Sequence, residues 1–180
     1  MRKPAWLLSL LFIVAITAAC GNSGKSDGQA GATLEVPVPS PTQTAEPAKK
    51  QAEVSVFYTN EELSDVIEQK TSIAYDSEIE LIKSTLTALQ TEPTVQAVSL
   101  WKPITIKSVE LTEGLVSIDV HLPDEARLGA PGEARVIETL EQTLFQFDFV
   151  QSFELLVDGE KMDSLMGHVE LEFPFNRTNE

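Results

Sequence analysis

The chain has 180 residues, 28 of them acidic and 13 basic, for a formal net charge of −15. That balance argues against a nucleic-acid partner and against direct adsorption to anionic lipid, and it suits a solvated extracytoplasmic domain or a basic protein partner. With one cysteine, Cys20, the chain forms no internal disulfide and no multi-thiolate metal site.

The N-terminus reads MRKPAWLLSLLFIVAITAAC. Arg2 and Lys3 make a basic start, residues 5–16 an apolar run, and small residues precede Cys20, the pattern of a secretory signal peptide over residues 1–19. The run is shorter than the roughly 20 apolar residues that span a bilayer. Thr17-Ala18-Ala19-Cys20 resembles the bacterial lipobox, with Thr17 standing where Leu, Val or Ile is usual. That resemblance implies lipid attachment, with acyl chains such as palmitate, at Cys20. Each buried CH₂ contributes roughly 0.8 kcal/mol, so two chains hold a protein on a membrane. The expected location is the extracytoplasmic face of the cell membrane, with Cys20 as the anchor. Residues 20–51 are rich in Gly, Ser, Pro, Thr and Gln, with Leu34, Val36 and Val38 almost alone as bulky apolar residues. Such a segment buries too little surface to offset its chain entropy and is expected to be a disordered tether. Residues 52–180 are then one domain of ordinary size.

Within that domain, Val54, Val56 and Tyr58 alternate on one side over residues 53–59, with Phe57 between them, a strand pattern, and a second extended piece is expected over residues 66–75. Ser77-Glu78-Ile79-Glu80 has the form of a capping box. Ile79, Ile82, Leu86 and Leu89 follow at helical spacing, so a helix is expected to end near Gln90, before Pro93. Residues 104–111 and 115–122 form a hairpin around Thr112-Glu113-Gly114, and the alternation slips between Ile106 and Val109, which marks a bulge. Pro131 and Gly132 introduce a second helix with Ile137, Leu140, Leu144 and Phe147 as its apolar stripe. Phe153, Leu155 and Val157 alternate in a last strand that turns at Asp158-Gly159, and the segment through Leu165, Met166, Val169 and Leu171 returns Phe173 and Phe175 to the core. Strand, helix, hairpin, helix, strand is the order of an α+β domain: a small mixed or antiparallel sheet with two helices packed on one face.

Residues of catalytic type occur in two places. Ser117, Asp119 and His121 share one face of a strand, but same-face neighbours stand roughly 6–7 Å apart, too far for direct nucleophile-to-base bonds. They are expected to be a polar stripe facing water. LLVDGEKMDSLMGHVEL, residues 155–171, gathers two aspartates, Ser164 and His168; these are expected to form turns and wet-face positions, with Ser164 and His168 the first to mutate as a check. Two histidines without HxH or HExxH spacing point to no transition-metal site; a weak Ca²⁺ site of scattered carboxylates is compatible with the composition, although no EF-hand loop is present. No catalytic residue, cofactor or metal is therefore expected.

Three blocks, VSVFYTNEEL, GLVSIDVHL and TLFQFDFVQSFELLVDGEKMDSLMGHVEL, together resemble the GerMN domain family of sporulation and germination proteins, across nearly all of residues 52–180. In the last block Thr143, Leu144 and Phe147 match the family's helix end, Val150 and Phe153 its strand entry, and Val157, Asp158 and Gly159 its turn. The chain departs from the family at Asp148-Phe149 and Glu92-Pro93, where Pro-Gly and Gly-Pro are usual. The resemblance implies a non-enzymatic domain shaped like the ring-building modules of the sporulation channel. A membrane-anchored lipoprotein that binds another envelope protein, or itself, is the expected function, in sporulation or germination; an envelope hydrolase or small-ligand-binding lipoprotein is the alternative.

Overall fold

A computed structural model of the chain describes residues 49–94 and 96–178. The signal peptide, Cys20 and nearly all of the expected tether lie outside them.

Strands β1 (Lys50–Thr59) and β2 (Val66–Tyr75) form a regular antiparallel ladder, from Lys50 opposite Tyr75 to Thr59 opposite Val66. β1 thus begins inside the stretch expected to be tether, because Lys50 and Gln51 find ladder partners in Tyr75 and Ala74 without needing apolar side chains of their own. Val54, Val56 and Tyr58 are buried on one face, as their alternation requires. Helix α1 (Glu78–Leu89) packs on this sheet and on the strand that follows it, burying Leu81, Ile82, Leu86 and Leu89; Ile79 is only partly covered. Its cap is a variant of the expected box. The Ser77 hydroxyl accepts from the Glu80 amide at 3.4 Å, but the Glu80 carboxylate reaches one residue further back and accepts from the Asp76 amide at 2.8 Å.

Strands β3 (Thr105–Thr112) and β4 (Leu115–His121) make the expected hairpin, closed by Glu113 and Gly114 with φ of 51° and 86°. Both are left-handed, as a two-residue turn matched to strand twist demands. The bulge falls between Ile106 and Ser108, leaving Lys107 as the extra residue. After a short 3₁₀ turn at Asp124–Ala126, helix α2 (Ala130–Phe145) leads to β5 (Ser152–Val157), which lies parallel to β4, and β6 (Phe175–Asn176) pairs antiparallel with β5. Asp158 and Gly159 make the expected turn with φ of 53° and 84°.

The α+β class is as expected, but the strands divide into two sheets, β1-β2 and β3-β4-β5-β6. α1 contacts strands of both, and α2 contacts β1 and α1. Trp101 is fully buried, its indole N–H donating to the Val136 carbonyl of α2 at 3.0 Å. Leu165, Leu171 and Phe175 are buried, with Phe175 stacked 4.6 Å from Phe153, so the returning segment does cover the core.

Candidate functional site

The polar stripe of β4 faces partly outward, and each member is tied to a neighbour. Ser117 donates to Glu154 of β5 at 2.8 Å, Asp119 accepts from the Gly159 amide at 2.7 Å, and the His121 ring lies 3.0 Å from Asp158. Lys107, raised by the bulge, bridges Asp119 at 3.3 Å and Asp158 at 3.1 Å. The bond to His121, then that to Lys107, holds the Asp158 carboxyl below its usual range, and Asp158 in turn raises the Lys107 ammonium. Ser117 holds Glu154 low against the effect of burial, with help from Lys161. The serine therefore meets a carboxylate on another strand and the histidine a carboxylate in the turn; nucleophile and base never meet.

Ser164 and His168 are brought together around a residue that the sequence reading missed. Glu133, in the first turn of α2, is fully buried. One carboxylate oxygen accepts from the Ser164 hydroxyl at 2.9 Å and the Met166 amide at 2.7 Å, and the other from the His168 amide at 2.9 Å. Burial pushes its carboxyl up, but the Met166 amide, the Ser164 hydroxyl and the His168 and Val169 amides outweigh that, and the net shift is downward. The positive end of the helix adds to the same preference. His168 contributes its main chain here, and its exposed ring makes no hydrogen bond among the described residues. Glu133 stands four residues before Ile137, in phase with the stripe Ile137, Leu140 and Leu144; an acid on an apolar face was the available signal.

Two sheet edges border α1 and α2 and are treated differently. The free edge of β1 is closed at Ser55 and Phe57 by the end of α2 and the residue that caps it: the Gln146 side chain accepts from the Ser55 amide at 2.8 Å and donates to its carbonyl at 2.7 Å, and the Phe57 amide donates to Thr143 at 3.3 Å. The outer edge of β3, by contrast, borders a groove of about 490 Å³ against α1, walled by Lys83, Thr87 and Gln90 on one side and Ile106, Ser108 and Glu110 on the other. Leu86 and Val109 form its apolar floor. Gln90 closes one end by donating to the Ile104 carbonyl. Among the described residues no hydrogen bond reaches the outward main chain of β3. A helix beside an open strand edge is the geometry that receives an extended peptide as an added strand.

Among the described residues, no three His, Cys, Asp or Glu side chains converge as metal ligands, and no helix is long and apolar enough to cross a membrane. Cys20 lies outside the described residues.

The chain matches the profile of Germane, a sporulation and spore germination family, over residues 26–163. No curated protein matches it. Among solved structures, a Clostridium perfringens protein designated a lipoprotein is 20% identical, with a TM-score of 0.50 over 72% of this chain and 89% of that one. The first GerMN domain of the sporulation protein GerM from Bacillus subtilis is 14% identical, with a TM-score of 0.53 over 70% of this chain and 98% of the domain. The tandem GerMN domains of the same protein are 17% identical, with a TM-score of 0.51 over 71% of this chain; this chain spans 46% of the tandem. At such identities these likenesses establish the fold.

Proposed function

This chain belongs to the Germane family of sporulation and spore germination, and from that premise we propose that it is a non-enzymatic protein-binding lipoprotein, held on the outer face of the cell membrane by a lipid on Cys20. Its domain engages another envelope protein in sporulation or germination. The observation that carries this reading is the groove between α1 and the open edge of β3. Its occupant is an extended segment of the partner, which adds a strand to β3 through main-chain bonds and sets apolar side chains on Leu86 and Val109. The residues of catalytic type support the same reading, since Ser117, Asp119, His121 and Ser164 are all engaged in bonds that position strands and loops. The lipoprotein designation of the Clostridium perfringens structure and the Cys20 context support the anchor.

Two measurements test the two halves. A photoreactive amino acid at Thr87 in the full chain is expected to crosslink a specific protein in sporulating or germinating cells, and Ser108→Trp, which fills the groove, to abolish that product. An unchanged product with the groove filled removes the binding reading. Cys20→Ser is expected to move the protein out of the carbonate-washed membrane fraction with its domain still folded; retention in that fraction removes the anchor.

A further inference from the structure

The outer edge of β2 is the second open strand edge, and its chemistry differs from that of β3. The Ser55, Phe57 and Thr59 amides of β1 bond away from β2, to Gln146, Thr143 and Val98. Opposite residues of an antiparallel ladder alternate together, so their partners Lys70, Glu68 and Val66 turn their own main-chain N–H and C=O groups outward as well. Among the described residues nothing bonds to those groups. The edge is ten residues long, has no bulge, and carries Glu68, Lys70 and Ser72 exposed on one face. Long regular edges are usually blunted by bulges or by charge; β3 has the bulge, and β2 has one acid and one base two residues apart.

We infer that β2 pairs with β2 of a second copy of this chain, antiparallel about a two-fold axis through Gln69. In that register Glu68 of each copy stands directly opposite Lys70 of the other, and Val66 opposite Ser72. The residues brought face to face are the ones whose main-chain groups point outward, so the ladder is continued without a break. Each opposite-charge pair across the new ladder is favourable, and symmetry makes two of them. Sliding the copies by two residues in either direction sets Lys70 against Lys70 or Glu68 against Glu68, so charge selects the register. On the other face Ile67 meets Thr71, both half-buried already. Within one chain Lys70 lies 3.3 Å from Glu53 and Glu68 accepts from the Ser55 hydroxyl. These are solvent-exposed contacts, which give way or are shared at little cost.

The test uses the full chain in membranes, where Cys20 is the only native cysteine and sets the background. On the axis the two Gln69 positions form a non-hydrogen-bonded pair, with Cα atoms roughly 4.5 Å apart, within reach of a disulfide. Gln69→Cys is therefore expected to give an oxidised dimer on a non-reducing gel. Adding E68K or K70E lowers that dimer about tenfold, because both cross-strand pairs become repulsive. Co-expressing the E68K chain with the K70E chain restores it, since one presents two bases and the other two acids. Because Gln69 also holds Thr94, light scattering on chains with Gln69 unaltered, purified in detergent, provides an independent measurement: a dimer for the parent, monomers for each charge variant, and a dimer again for their equimolar mixture. Parent monomers at tens of micromolar, or a crosslink indifferent to E68K and K70E, would overturn the inference. The groove on β3 plays no part in any of these measurements, so their outcome is independent of the proposed partner binding.

Discussion

Replacing Glu133 by Gln keeps size and shape but removes the charge. The carboxylate accepts from Ser164 and Met166 through one oxygen and from His168 through the other. An amide can keep only one of those oxygens. The better orientation retains the pair at Ser164 and Met166 and turns an N–H toward the His168 amide, stranding a buried donor at about 1–3 kcal/mol. The two retained bonds lose their charge assistance, and the helix end loses its anion, together roughly another 1 kcal/mol. The expected total is about 3 kcal/mol, or about 10 °C in Tm for a domain of this size. Urea unfolding followed by fluorescence, to which the buried Trp101 contributes, measures it. The pH dependence provides a second signature. A carboxyl held below its ordinary value binds a proton less readily folded than unfolded. Its contribution is therefore complete above about pH 4.3 and is lost as the pH falls from there through the folded value. The gap between parent and E133Q should be constant from pH 7 to about 5 and narrow in more acid solution. A difference below about 0.5 kcal/mol at pH 7, or one that does not narrow in acid, refutes the clamp.

Gly132→Ala places a methyl 2.6 Å from the Leu128 Cβ, which is too near its own backbone to swing aside, so a loss of about 1–3 kcal/mol in thermal unfolding is expected. Gln146→Ala leaves the Ser55 amide and carbonyl without their partner, and hydrogen exchange at Ser55 should accelerate while exchange at the Ile118 amide in β4 stays slow.

Much of the local structure was legible because it follows from adjacent residues. The capping serine, the three-and-four spacing of α1, the slip that marks the Lys107 bulge and the Asp158-Gly159 turn are each decided within a few positions. What was not legible depends on partners distant in sequence. Two sheets rather than one arise because β1 and β2 pair only with each other, the other edge of β1 being met by Gln146 and Thr143, while β4 pairs in parallel with β5 across α2; no local pattern specifies either. The Glu133 clamp joins residues more than thirty positions apart, and Gln146 reaches Ser55 across 91. Ser164 and His168 looked like candidate chemistry because their residue types are those of catalysts; their bonds show that one supplies a hydroxyl and the other a main-chain amide to a structural anion. Lys107 was visible only as an interruption, although the bulge is what brings its ammonium to Asp119 and Asp158.

The closure of β1 by Gln146 and Thr143 limits growth of the first sheet. A two-stranded sheet with both margins open could add copies without end, as fibrils do. Here the Ser55–Thr59 stretch of one margin is already bonded within the same chain, so joining two copies through β2 would give four strands with that stretch occupied on both outer sides. A third copy would find no free main-chain groups along that stretch, so growth through this sheet would end at a pair, and the open edge of β3 belongs to the other sheet.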